Sequence, residues 1–226
     1  MRAFAVPSFL HPRRHPSAYL LGVQLLSLVL YAPLGGTESE AGRALFSAAT
    51  LVVVPLAVWV VRRSPSANSV AWALAIPAML LSIAAIAFDR PGLVIWSSLI
   101  ESALYFYAAV SLIGYMLRDH DVTTDELFAA GATFTLVAWA FAYAYVVCQA
   151  WYPHSFIGLV QPERTRTWLE LLFVSMSTLS GVGNGDVVPI GPQARVLVMF
   201  EQMAGIGYIT VVVSRLIGLS IMRGRS

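Results

Sequence analysis

The chain has 226 residues, 58% of them hydrophobic and only 12% charged, with a net charge of +2. All 14 basic residues are arginine and the single cysteine, Cys148, lies in an apolar run, so neither a disulfide framework nor a thiol-rich metal site is open to it, and no nucleic-acid partner is expected. Several apolar runs approach the ~20 residues that span a bilayer, which leaves a polytopic membrane protein whose first partner is lipid.

In chain order the candidate spans are Ala18 to Leu34, Ala44 to Val61, Val70 to Phe88, Leu93 to Leu117, Leu127 to Trp151 and Ala194 to Met222, with a shorter apolar piece from Trp168 to Leu179. Arg13 and Arg14 precede the first run as in a signal peptide, yet no small-x-small cleavage site follows it, so it is read as a retained helix. Thr123-Thr-Asp-Glu126 and Thr167-Trp-Leu-Glu170 both read as capping boxes, in which a threonine hydroxyl and a glutamate three residues on satisfy orphan amides. The fold expected is an all-α membrane protein with six transmembrane helices and a half-crossing, a re-entrant helix, between the fifth and the sixth. A polar break at Arg118 to Asp125 divides a four-helix region, 1–120, from a second region, 121–226, and no internal repeat suggests a transporter.

Arg2, Arg13, Arg14, Arg62, Arg63, Arg118, Arg223 and Arg225 fall on one side of this plan, against Arg43, Arg90, Arg164, Arg166 and Arg195 on the other. The positive-inside rule then makes both termini cytoplasmic, in a cell (inner) membrane, with the loop from Tyr152 to Thr167 outside. The arginine-only basic set and the abundance of alanine read as a GC-rich bacterial genome.

Residues 178–189, TLSGVGNGDVVP, place glycine at every second position, Gly181, Gly183 and Gly185, and then Asp186. Irregular backbone at membrane depth survives only where protein buries it or where it lines a watery path. Glycine reaches positive φ without the cost other residues meet. Alternating it with Val182 and Asn184 lets successive peptides change hand and aim their carbonyls one way, and a row of carbonyls on one axis is a cation site. The C-terminal, partially negative end of the preceding helix favours a cation at the same place.

Gly181-Val-Gly-Asn-Gly-Asp186 resembles the selectivity filter of the potassium-channel superfamily, usually written T-V-G-Y-G-D. Pro189 and Arg195 keep the spacing of the simple bacterial channels, Thr178 and Ser180 sit where the end of the family's pore helix carries hydroxyls, and Met203-Ala-Gly-Ile206 puts Gly205 at its hinge glycine, with Gly207 beside it. The likeness covers roughly residues 125 to 222, while the first four helices match the voltage-gated-like layout in number only. It implies a homotetramer in which Gly181, Val182, Gly183, Asn184 and Gly185 coordinate permeant K+ through backbone carbonyls, with Asp186 at the mouth and no cofactor. Gly181 stands in place of the family's threonine and Asn184 in place of its aromatic residue, so the filter expected is softer than the full pattern, with a non-selective Na+/K+ channel as the alternative. Gly92 to Leu117 contains no basic residue, so steep voltage gating of the usual kind is not expected.

Three other readings fit less well. Gly183-Asn-Gly-Asp186 is also the G-x-G-D of intramembrane aspartyl proteases, which need a second membrane-embedded aspartate, but Asp89, Asp119, Asp121 and Asp125 lie at helix ends or in loops. A rhomboid-type serine protease wants G-x-S-G and an intramembrane histidine, whereas His120 and His154 are in loops. A helix-packing seam explains small residues but not the Asp and Pro that follow. Glu101 and Glu201 are ionisable groups inside spans, where such groups are costly. The sequence assigns neither a partner, and Glu201 is expected to hydrogen-bond behind the filter near Ser177.

Overall fold

The computed structural model describes residues 16–31, 53–57, 59, 65–88, 90–117, 123–183 and 185–223. Most of the expected span from Ala44 to Val61 lies outside the described residues. So do Asn184, Asp89, Asp119, His120, Asp121, and, among the arginines that set the orientation, Arg2, Arg13, Arg14, Arg43, Arg62, Arg63, Arg118 and Arg225. The helices are α1 (Pro16–Tyr31), α2 (Pro65–Ala87), α3 (Pro91–Met116), α4 (Thr124–Trp151), α5 (Trp168–Leu179), α6 (Pro192–Tyr208) and α7 (Ser214–Arg223). A π-helical turn, Ile209–Val213, joins α6 to α7.

The helix starts follow from local chemistry. Proline opens α1, α2, α3 and α6, at the first helical position where its missing N–H would have been unpaired anyway. α7 continues directly from the π turn, and α4 and α5 start at the expected capping boxes. The Glu126 N–H donates to Thr123 Oγ1 at 3.3 Å and the Glu126 carboxylate accepts the Thr123 N–H at 3.1 Å, and Thr167 and Glu170 repeat the exchange at 3.3 and 2.6 Å. α1 gains a long-range cap as well, because the Ser17 N–H and hydroxyl donate to the Asp125 carboxylate at 3.1 and 3.2 Å. A carboxylate there also meets the positive end of the helix dipole. α1 and α4 therefore begin side by side.

Among the described residues, three helical stretches are long and apolar enough to cross a membrane: Gly92–Met116, Thr124–Trp151 and Pro192–Gly218. α4 is the centre of the molecule, packed against α1, α3, α5 and α6. It is apolar all round, as a helix with neighbours on every side must be, and it buries Leu136, Trp139, Tyr143 and Tyr145. Its rings meet those of its neighbours at 5.7 Å (Tyr105–Tyr143), 4.9 Å (Phe106–Phe141) and 5.2 Å (Trp139–Trp168). Such pairs contribute about 0.5–1.5 kcal/mol each beyond the area they bury.

α6 is built the other way round. Its buried residues are Ala194, Glu201, Gly205 and Tyr208, one narrow stripe of small and polar groups, whereas Met199, Phe200, Met203 and Ile206 are exposed. The Tyr208 hydroxyl donates to the Ala130 carbonyl at 2.6 Å, and beyond the π turn Arg215 donates to the carbonyl of Met116, the last residue of α3.

The all-α expectation omits one element. β1 (Phe156–Gly158) pairs antiparallel with β2 (Val187–Pro189), in the register Phe156 to Pro189, Ile157 to Val188 and Gly158 to Val187. Three-residue strands are too short for alternation to reveal.

Candidate functional site

α5 is anchored at its start by the loop before it. Gln149 holds the Arg166 peptide from both sides, donating to its carbonyl at 2.9 Å and accepting its N–H at 3.1 Å. The buried Arg166 guanidinium donates to the carbonyls of Val160, Gln161 and Arg164 and lies 3.8 Å from the Glu170 carboxylate. Gly158 faces that guanidinium so closely that a Cβ there would collide with it.

At its other end α5 runs into the glycine stretch. Gly181 occupies the position just past the C-cap Ser180, has φ +76°, and donates its N–H to the Thr178 carbonyl at 3.1 Å. A left-handed glycine is the common way for a helix to end. Gly183 follows with φ +66°, and its N–H reaches back to the Ser177 carbonyl at 3.0 Å. Val182 between them keeps negative φ, so the backbone changes hand at each residue from Gly181 to Gly183. A Cβ at Gly181 or Gly183 would meet nothing within 4 Å. Backbone conformation, not space, selects glycine at both positions. Val182 is 72% exposed.

The far end of the stretch is tied to the same loop. The Asp186 carbonyl accepts the Leu159 N–H at 2.8 Å, the Ser155 carbonyl accepts from Ile190 and Gly191, and Arg195 donates to the Pro189 carbonyl at 3.3 Å. The Ser180 hydroxyl donates to the Ser177 carbonyl at 3.1 Å.

Gly205 has a steric reason to be glycine. Its Cα lies against the Leu179 carbonyl at the end of α5, and a Cβ would run into that oxygen, whereas Gly207 has open space. One turn earlier on the same stripe, Glu201 is fully buried and accepts from the Tyr145 hydroxyl, with Ser175 Oγ at its other oxygen. The expected neighbour was Ser177, so the contact falls two residues earlier, on the face of α5 that meets α4. Glu101 also has partners that the sequence did not assign: Ser82 donates to it at 2.8 Å and Tyr143 hydrogen-bonds it. Ser175, Tyr145, Gln149 and Arg166 are thus the residues that sequence reasoning missed. A serine within an apolar helix is the one trace of them, since it needs an acceptor there.

Residues 131–219 match a family model described as an ion channel. That segment runs from within α4 through α5 and the glycine stretch into α7, so it takes in the glycine stretch, Gly205 and Glu201 but not Glu101, and it points to a channel that is not an enzyme. The aspartyl-protease reading of Gly183-Asn-Gly-Asp186 and the rhomboid reading fall with it. No curated protein and no solved structure matches the chain.

Proposed function

We propose that four copies of this chain surround a central axis and form a passive cation channel that prefers potassium. The observation that carries this reading is the change of hand from Gly181 to Gly183 at the C-terminal end of α5, within the segment that matches an ion channel. Such a backbone turns successive carbonyls the same way, and one chain supplies one wall of a site that needs several. The negative end of the α5 dipole faces the same axis. The exposed apolar residues Met199, Phe200, Met203 and Ile206 suit contact with neighbouring copies or lipid. Six crossings, with both termini cytoplasmic, are the layout that accompanies this pore.

The side chains make the filter softer than its backbone. Gly181 brings no hydroxyl to the innermost layer, and Asn184 brings no ring to stack behind the strand. A bi-ionic reversal potential across liposomes containing the full chain tests the reading. Potassium should be preferred to sodium, Gly183→Ala should abolish flux while the assembled protein persists, and Gly181→Thr with Asn184→Tyr should raise the potassium preference. Flux from Gly183→Ala equal to that of the wild type would remove the filter from residues 181–185.

A further inference from the structure

Two hydroxyl groups face the buried Glu201 carboxyl: Tyr145 Oη at Oε2 and Ser175 Oγ at Oε1. Ser175 Oγ also lies 2.7 Å from the Ala138 carbonyl oxygen. A serine hydroxyl holds one proton and a carbonyl oxygen holds none. With the Ser175 proton directed at Ala138, the contact between Ser175 Oγ and Glu201 Oε1 needs a proton of its own. A carboxylate has none to give, and a carboxylic acid has one. The links then run in one direction, from Tyr145 Oη–H to Glu201 Oε2, from Glu201 Oε1–H to Ser175 Oγ, and from Ser175 Oγ–H to Ala138 O. The ion pairs found among the described residues do not include Glu201, and a buried charge without a counter-charge is costly.

We propose that Glu201 is a neutral carboxylic acid which, acting through Ser175, positions α5 and with it the glycine stretch. The proposal rests on the channel reading above. Glu201 and Gly205 are one turn apart on α6, and Ser175 and Leu179 are one turn apart on α5. The two helices therefore touch at two successive turns, by a hydrogen bond at Glu201 and by close approach at Gly205. Gly181 begins two residues after the second contact. Glutamine reproduces the neutral acid, because its carbonyl accepts from Tyr145 while its amide donates to Ser175.

The test uses the full chain in liposomes, with ion flux and the K+/Na+ reversal potential as readouts. E201Q should keep flux and permeability ratio within about twofold of the wild type, while E201L and S175A change one or both by about tenfold, the scale of one lost buried partner. Infrared spectra should contain a carboxylic-acid C=O band in the wild type that E201Q lacks. E201Q as impaired as E201L, or no such band difference, would overturn the proposal. Should E201L fail to assemble, S175A and the infrared comparison decide. A wild type that passes no cations removes the channel reading and the positioning role with it, while the infrared band still reports whether Glu201 is an acid.

Discussion

α4 is gripped by a serine and a glutamate on each of two faces. Toward α5 and α6 the pair is Ser175 on the Ala138 carbonyl and Glu201 on Tyr145, and toward α3 it is Ser102 on the Ala140 carbonyl at 2.9 Å and Glu101 on Tyr143. Ala138 and Ala140, like Tyr143 and Tyr145, are two residues apart, which on an α-helix is about 200° of rotation and so opposite sides. The faces differ in how their groups connect. On the α5 side Ser175 touches both the carbonyl and the carboxyl, so removing it disturbs two partners at once. On the α3 side Ser102 and Glu101 work separately, since Glu101 takes Ser82 instead. A linked set of hydrogen bonds fixes a position more tightly than the same number made independently, and the linked set lies beside the glycine stretch.

Substitutions on the two faces should separate them. The largest effect is expected from Gly205→Ala, whose methyl meets backbone and has no flexible side chain to push aside; about 3 kcal/mol of destabilisation follows from overpacking of this kind. Denaturant unfolding in detergent would measure it, and a melt like the wild type's would mean that α6 and α5 are not in contact there. Next, Ser175→Ala should cost about 2–3 kcal/mol, because it strands a buried carboxyl oxygen, while Ser102→Ala should cost about 1 kcal/mol, because the Ala140 carbonyl keeps its helical bond. Equal costs would erase the distinction between the faces. Equally small is Ser82→Ala, which leaves one oxygen of the buried Glu101 carboxyl without its serine but removes only a half-buried hydroxyl; about 1 kcal/mol, the low end for such a loss, is expected, with unchanged flux in the liposome assay.

What the sequence revealed and what it hid divide by range. The capping boxes at Thr123 and Thr167 act over three residues, and the bounds Trp168 to Leu179 read from apolarity are those of α5 itself. Gly181 and Gly183 were legible for the same reason, because φ is a property of one residue. Tyr145 and Ser175 are 56 and 26 residues from Glu201, and no local pattern announces which hydroxyl a folded chain brings to an acid. The stripe of Ala194, Glu201, Gly205 and Tyr208 does have helical spacing, but it is polar and small where a contact face is usually apolar, so the outward Met199 and Phe200 dominate the pattern. Gly205 reads as a hinge from its place in the resemblance, and its contact with the Leu179 carbonyl gives it a packing reason that only three dimensions supply.

The π turn at Ile209–Val213 works as a phase shift. An α-helix advances about 100° per residue, so the additional residue of a π turn rotates everything beyond it by about that angle. Before the turn the buried stripe addresses α4 and α5; beyond it Arg215 points to the Met116 carbonyl at the end of α3. One unbroken rod thereby keeps appointments with neighbours that lie at different compass bearings. Removing a single residue from 209–213 would shorten the rod by only about 1.5 Å, yet it would turn Arg215 away from α3 and disconnect the part of the rod beyond the turn from that helix.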